Sequence, residues 1–287
     1  MGTVKVFTDS TSDLSKDILD KYDIGVVPLY VTFGNETYKD GIDITTPELY
    51  EKVEECGTLP KTSAPSLVDF YNAFKPHIDQ GDDILFIGIS SKISSTINNA
   101  VIVSKEFPEG RIAIIDSLDL STGIGLLVVQ AAECAKKSMK LSEIVSIVEK
   151  SVPYVRTEFV IDTMEYLYKG GRCSALQSIV GSVLKIHPII KTENGGMTVA
   201  RKIRGNGKKI LNNLLDNALV DKDRIASPQI FVTHSIADEE AEYLKEELQK
   251  QIPSKEIITT KAGCVISSHC GPGTVGILYI LDPELVS

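Results

Sequence analysis

The sequence predicts an α/β protein in two units: a doubly wound, Rossmann-like parallel sheet with helices on both faces over residues 1–152, then an α+β unit over residues 153–287. Three observations carry this expectation. Apolar, β-branched runs alternate with helix-competent stretches through the first half, the rhythm of β–α–β crossovers. One run, Ile84–Ile89, is apolar almost without a break, as strands buried on both faces of a parallel sheet are. After Val152-Pro153 the rhythm gives way to a hairpin signal, Glu193-Asn194-Gly195-Gly196, between two extended segments.

Each element has its own reason. Val4–Thr8 is a β-branched first strand, and Asp9-Ser10-Thr11-Ser12-Asp13 supplies N-cap candidates for a helix over Leu14–Tyr22. Gly25–Phe33 reads as one strand ending in the turn Gly34-Asn35. Thr46-Pro47-Glu48 opens a helix, with Thr at the cap, Pro at the first helical position and an acid in the first turn. Pro65 biases Ala64 to extended geometry, so Lys61–Ser66 reads as a loop ahead of a short helix, Ser66–Phe74. Ile84–Ile89 feeds a helix over Ile93–Glu106; Arg111–Ile115 is a strand ending at Asp116-Ser117, followed by helices Gly123–Lys136 and Leu141–Lys150. In the second unit, Thr157–Ile161 is a strand and Thr163–Tyr168 a helix broken at Gly170-Gly171. Leu176–Leu184 reads as helical, and Ile189–Thr192 and Met197–Ala200 flank the hairpin turn. Helices Lys208–Ala218 and Asp238–Gln251 surround the strand Gln229–Thr233, and Ile257–Thr260 and Gly276–Ile280 complete the unit.

Composition narrows the function classes. With 43% hydrophobic and 24% charged residues, the chain is an ordinary globular one of 287 residues. A formal net charge of −9 argues against nucleic acid as a partner. No apolar run approaches the ~20 residues that span a bilayer. The N-terminus reads as a strand, not a signal peptide, and Val6 stands where a myristoylation motif requires Ser or Thr. Five cysteines, Cys56, Cys134, Cys173, Cys264 and Cys270, form no CxxC pair; the expectation is free thiols, no metal and a cytoplasmic location.

Hydroxyls concentrate at two places, Lys61-Thr62-Ser63-Ala64-Pro65-Ser66 and Ser90-Ser91-Lys92-Ile93-Ser94-Ser95-Thr96. The second follows a strand and enters a helix, where backbone N–H groups and the helix dipole also face a ligand. Hydroxyls are neutral donors, suited to an oxyanion that is held without an ion pair. Helix capping is the ordinary use of Ser66; for Thr62, capping and ligand binding stand level on spacing alone. One hydroxyl suffices to cap the second helix, yet five occupy seven positions, so the surplus favours binding, with Ser94 at the helix start. Asp9 ends a strand and either caps the first turn or orients hydroxyls. Gly123 and Gly125 lack the spacing of a dinucleotide fingerprint and read as close helix packing. Arg172 lies at the Gly170-Gly171 corner, where solvation is the ordinary fate of an Arg, and His269 in the Gly/Pro-rich segment Ser267–Gly273. The basic run Arg201-Lys202-Ile203-Arg204 with Lys208-Lys209 is a solvated face or a dock for a phosphate-bearing partner.

Taken in order, Thr8-Asp9-Ser10-Thr11-Ser12, Leu59–Ser66, Ile89–Thr96, Leu167–Arg172, Leu184-Lys185-Ile186-His187-Pro188 and His269–Gly273 make the chain resemble the DegV family from end to end. Members of that family serve as fatty-acid-binding subunits of bacterial fatty acid kinase. The resemblance implies a two-domain fold with a lipid tunnel between the domains. It implies that Thr62 and Ser94 bind the carboxylate of a long-chain fatty acid such as palmitate, stearate or oleate. Arg172 and His269 match positions near the carboxylate end, with Ser63, Ser95, Asp9 and Gly123 as supporting positions. Lys92, where the family often has Gly, and Thr96 depart from the pattern.

The expected activity is therefore carriage, not catalysis. The ATP-binding kinase subunit is the partner that makes acyl phosphate, and an acyltransferase or membrane surface is a transient one. No cofactor is required, and the sequence contains no GxxxxGK[ST] loop. At ~0.8 kcal/mol per buried methylene, a C16 tail gains on the order of 10 kcal/mol before ordering costs. The main alternative is a serine hydrolase or esterase using Ser94, His269 and either Asp9 or Asp116, though no GxSxG elbow is present. A lipid-sensing regulatory protein is the third reading.

Overall fold

The computed structural model describes residues 3–172, 186–205 and 207–285. The expected helix Leu176–Leu184 and Cys173 lie outside the described residues. The first sheet is parallel throughout, in the order β2-β1-β6-β7, from β1 (Val4–Asp9), β2 (Gly25–Val27), β6 (Asp83–Gly88) and β7 (Ile112–Asp116). Helices α3 (Leu67–Gln80) and α4 (Thr96–Ser104) cover one face through Phe7, Phe70, Phe74 and Phe86. Helices α1 (Lys16–Tyr22), α5 (Thr122–Lys136) and α6 (Leu141–Ser151) belong to the other side, where Leu85, Ile87, Ile124, Leu127 and Ile144 are buried together. Both faces are thus apolar, which is why Ile84–Ile89 shows no alternation.

The segment Gly25–Phe33 is not one strand. Pro28 has no N–H to donate to a ladder, and the chain breaks there, sending β3 (Tyr30–Phe33) into a separate antiparallel sheet. That sheet runs β4-β3-β5, with β4 (Glu36–Lys39) returning through the Gly34-Asn35 turn and β5 (Lys61–Ser63) pairing Thr62 with Val31. The segment read as a loop at Thr62 is therefore an edge strand. The first helix also starts later than expected. Asp9 caps a single 3-10 turn, Ser10–Ser12, and Asp13 in a left-handed conformation delays the α-helix to Lys16. Helix α2 (Thr46–Cys56) is capped by Thr45, one residue before the expected Thr46, in a capping box with Glu48, and Ser66 caps α3 by accepting from the Asp69 N–H.

A six-stranded mixed sheet, β10-β9-β8-β13-β11-β12, forms the rest. Its strands are β8 (Val155–Val160), β9 (Ile186–Glu193), β10 (Gly196–Arg204), β11 (Gln229–Ser235), β12 (Glu256–Lys261) and β13 (Thr274–Ile280). The β9–β10 hairpin closes at Asn194-Gly195, both at positive φ. Helices α8 (Gly207–Val220) and α9 (Asp238–Gln251) bury Leu214, Leu215, Leu244 and Leu248 in the core they share with this sheet. The other face, with Phe159, Phe231 and Leu278, joins the core of the parallel sheet. Two further helices are short, α7 (Glu165–Lys169) and α10 (Cys264–Cys270). Among the described residues, no helix is long and apolar enough to cross a membrane.

Candidate functional site

The carboxyl ends of the parallel strands, the inner face of the mixed sheet, the three-stranded sheet and α10 enclose a cavity of about 310 Å³. Ligands of open α/β sheets lie at this end of the strands. Leu29, Ile89, Ile93, Leu120, Phe159, Leu167, Met197, Val265 and Leu278 make much of the lining apolar. Thr62, Ser63, Ser94, Ser95, Arg172 and His269 also line it. Ser63 and Ser95 are exposed and Thr62 and Ser94 half-buried, so the cavity opens to solvent beside these hydroxyls.

Segments far apart in sequence meet here. Thr62 Oγ1 lies 2.8 Å from His269 Nε2. His269 Nδ1 is buried and has no hydrogen-bond partner among the described residues. Burial, reinforced by the nearby Arg172 charge, pushes the His269 pKa down to about 4, so the ring is neutral at physiological pH. With its proton on Nε2, the imidazole donates to Thr62 Oγ1 and leaves the Thr62 proton to point at an anion. Ser94 Oγ accepts from the Thr96 N–H at 3.3 Å and shares a 2.8 Å hydrogen bond with Thr96 Oγ1. Ser95, at the cap position of α4, makes no side-chain capping bond. Arg172 donates from Nη1 to the Gly170 carbonyl at 2.7 Å, and burial lowers its pKa. Among the described residues it forms no ion pair.

The supporting polar groups lie behind this end. Asp9 accepts from the Ile89 N–H at 2.8 Å and the Thr11 N–H at 2.9 Å, tying the start of the Ser90–Thr96 segment to the first strand. Asp9 does not line the cavity; it caps one turn and holds the neighbouring loop. Ser90 Oγ donates to the Gly195 carbonyl at 2.7 Å, so the hairpin turn is tied to the same loop. Gly195, at φ +82°, also packs close: a Cβ there would come within 2.8 Å of Lys92 Cγ. Lys92 itself is exposed. Gly123 lies behind the wall, where a Cβ would meet Asp119 and Thr157 oxygens at 2.7 Å. It permits close packing of α5 and contributes no lining surface.

His269 is not in a loop. It occupies the last turn of α10, a helix held at its N-terminus by distant carboxylates. The Gly263 N–H donates to Asp13 at 2.8 Å and the Cys264 N–H to Asp40 at 2.7 Å. Burial raises the pKa of both acids. Ser121 Oγ donates to Asp13 at 2.5 Å. The Ser121 backbone, at φ 55° and ψ −146°, lies in a region that non-glycine residues rarely occupy. It lines the cavity.

A hydrolytic triad is not assembled. His269 bonds Thr62, not Ser94, and its Nδ1 has no carboxylate partner among the described residues. Asp9 serves Thr11 and Ile89, while Asp116 accepts from the Ser91 and Leu118 N–H groups. An imidazole of pKa about 4 is also a weak general base. In the basic run, Arg201 pairs with Glu158 at 2.8 Å and Lys208 Nζ stands over the Tyr243 ring, 5.5 Å from its centroid. Cys134, Cys264 and Cys270 are buried free thiols and Cys56 an exposed one. No metal-binding group of three or more such side chains occurs among the described residues.

The family model described as "Uncharacterised protein, DegV family" matches residues 3–282. The chain belongs to the DegV family. A DegV domain-containing protein of Caldanaerobacter subterraneus is 34% identical over 281 residues, covering 97% of this chain and 99% of its own. A Thermus thermophilus DegV family protein, described for its fatty acid binding, superposes with a TM-score of 0.90 at 30% identity, over 98% of this chain and 100% of its own. A stearic acid-binding protein of Eubacterium ventriosum gives 0.88 at 26% identity, over 99% and 100%. The DegV fold, with its parallel sheet and mixed second sheet, is thus common to these proteins and this chain.

Proposed function

We propose that this chain binds a long-chain fatty acid such as palmitate, stearate or oleate, holding its carboxylate with Thr62 and Ser94 and its acyl chain in the apolar cavity. The observation that carries the reading is the Thr62–His269 hydrogen bond at the open end of that cavity. It leaves a neutral donor aimed at an anion, with the Arg172 cation alongside. Relatives described as fatty acid-binding proteins support the ligand class. A cavity of about 310 Å³ falls within the ~300–1,000 Å³ typical of small-ligand sites.

The same geometry suits presentation to a kinase in the cytoplasm. Hydroxyl donors offset the desolvation of a carboxylate without neutralising it. One carboxylate oxygen, lying beside the exposed Ser63 and Ser95, then attacks the γ-phosphorus of ATP held by the partner. The new O–P bond forms as the bond to the β-phosphate oxygen breaks, and ADP leaves. Acyl phosphate passes on to an acyltransferase or a membrane surface. The protein itself supplies binding and orientation, not chemistry; action as a lipid sensor would use the same site.

Mass spectrometry of lipid extracted from the purified protein tests the ligand, with a fatty acid as the expected result. Absence of any fatty acid, together with failure to bind one added in solution, would overturn the reading. Acyl-phosphate formation with a fatty acid kinase ATP-binding subunit tests the second half; its absence with lipid-loaded protein would leave carriage without phosphorylation.

A further inference from the structure

We propose that Asn99 is a positioning residue: it holds the Thr62 and Ser94 segments at the spacing that lets both hydroxyls meet one carboxylate. This rests on the fatty-acid reading above and adds to it a residue outside the cavity lining.

The two hydroxyls come from different parts of the fold. Thr62 lies on β5, at the edge of the three-stranded antiparallel sheet, and Ser94 in the loop between β6 of the parallel sheet and α4. The two sheets share no strand, so strand pairing leaves the distance between these hydroxyls open. Each is fixed within its own segment. Thr62 pairs with Val31, while the Ser94 N–H donates to the Ser90 carbonyl at 3.1 Å and its Oγ bonds Thr96. A carboxylate offers two oxygens at a fixed separation, and a hydroxyl bonds well only at ~2.5–3.0 Å. Spacing therefore decides whether the second hydroxyl adds to the first.

Asn99 bridges the two segments. Its side-chain Nδ2 donates to the Pro65 carbonyl at 2.8 Å, and its backbone N–H donates to the Ser95 carbonyl at 3.0 Å. Pro65 closes the Thr62 segment, and Ser95 directly follows Ser94. A carbonyl only accepts, so the amide must turn its NH₂ toward Pro65. The Pro65 carbonyl stands outside the α3 ladder, which begins where the Phe70 N–H donates to the Ser66 carbonyl. The bond thus serves neither helix and joins the segments instead. Pro65 is buried and Asn99 half-buried, which limits competition from water. Phe70 of α3 and Ile97 and Ala100 of α4 share an apolar core, but apolar contact is non-directional. The amide bond supplies the direction. Asn is also a weaker helix former than Ala or Leu, a cost that α4 carries at this position.

Asn99→Ala and Asn99→Leu both delete the donor and install a better helix former, one leaving a gap and the other filling it. A thermal melt of the ligand-free protein checks the fold, and either variant that folds carries the test. The readout is the ratio of oleic acid to oleyl alcohol affinity, measured by displacement of a fluorescent fatty acid. In the parent the acid binds better. Each variant is expected to lower the ratio about tenfold, the low end for one hydrogen bond to a charged group, with alcohol affinity within twofold of the parent. In a Thr62→Val background, Asn99→Ala should lower the ratio less than in the parent, because only one hydroxyl is left to align. Acid and alcohol weakening together, an unchanged ratio, or full additivity with Thr62→Val would each overturn the role of Asn99 and leave the fatty-acid reading standing. A parent that binds the acid no better than the alcohol, or binds neither, overturns both.

Discussion

Replacing Thr62 by Val removes one hydroxyl and leaves the shape of the side chain almost unchanged. Thr62 is half-buried on the short edge strand β5, and its hydroxyl bonds His269 Nε2 at 2.8 Å. In the ligand-bound protein the substitution removes a hydrogen bond to a charged group, about 1.5–3 kcal/mol, and leaves the imidazole donor unpaired at a half-buried position. Affinity for a fatty acid should therefore fall by roughly 10- to 150-fold. The fold should hold, because the backbone pairing of Thr62 with Val31 does not involve the side chain. Isothermal titration with oleate measures the affinity, and a thermal melt of the ligand-free protein checks the fold. The sequence contains no Trp, so an intrinsic tryptophan signal is not available for either assay. His269→Gln should retain part of the affinity, since an amide N–H can reach toward Thr62, and His269→Ala should lose more. Affinity within twofold of the parent in Thr62→Val, with oleate bound stoichiometrically, would refute the carboxylate assignment.

Three further outcomes concern Asp119, Gly123 and Ser66. Burial raises the Asp119 pKa from 3.8 to about 6, so the folded protein binds more protons than the unfolded chain between those values. Its contribution to stability is full below the unfolded value and is lost as pH rises through about 6; two pKa units correspond to about 3 kcal/mol. Asp119→Asn should flatten that part of the profile, read by urea unfolding from pH 4.5 to 7.5; an unchanged slope would contradict it. Gly123→Ala places a Cβ 2.7 Å from the Asp119 and Thr157 oxygens and should destabilise by about 1–3 kcal/mol, again by urea unfolding. Ser66→Ala removes the cap of α3 and should lower the melting temperature by about 2–4 °C without changing fatty-acid affinity beyond twofold.

The parallel sheet was legible because its signal is local. Ile84–Ile89 and Val4–Thr8 carry their burial in their own composition, and the Asn194-Gly195 turn carries its φ requirement in its own residues. Where the reading failed, the deciding interaction came from elsewhere or from a single breaker given too little weight. Pro28 divided a β-rich segment between two sheets. Helix α10 is seven residues long and contains Ser267 and Ser268, poor local evidence for a helix. Its N–H groups are satisfied by Asp13 and Asp40, more than two hundred positions away, and no window of sequence shows that. The Thr62–His269 contact spans 207 positions and is invisible to spacing for the same reason. Family resemblance could bring both residues to attention, but not the bond between them.

The placement of charge around the cavity explains why neutral donors stand at its mouth. Asp9, Asp13, Asp40 and Asp119 are all buried behind the wall, and each accepts hydrogen bonds from backbone N–H groups or hydroxyls. Burial raises all four pKa values, so each ionised acid sits in surroundings that disfavour further negative charge. A ligand carboxylate seated deep among them would meet repulsion. At the open end it meets Arg172 and the Thr62–His269 pair instead, and solvent screens what remains. For the fatty acid proposed here, the polarity of the cavity therefore favours one orientation: tail inward along the apolar wall, carboxylate outward. Reversing it would place an anion against the acids and a hydrocarbon end in water. Charge reversal at Arg172 is the direct test of this orientation. Arg172→Glu should cost more affinity than Arg172→Ala for a fatty acid, and the difference between the two should shrink for the corresponding uncharged fatty alcohol. Equal effects on acid and alcohol would mean that the carboxylate does not face Arg172.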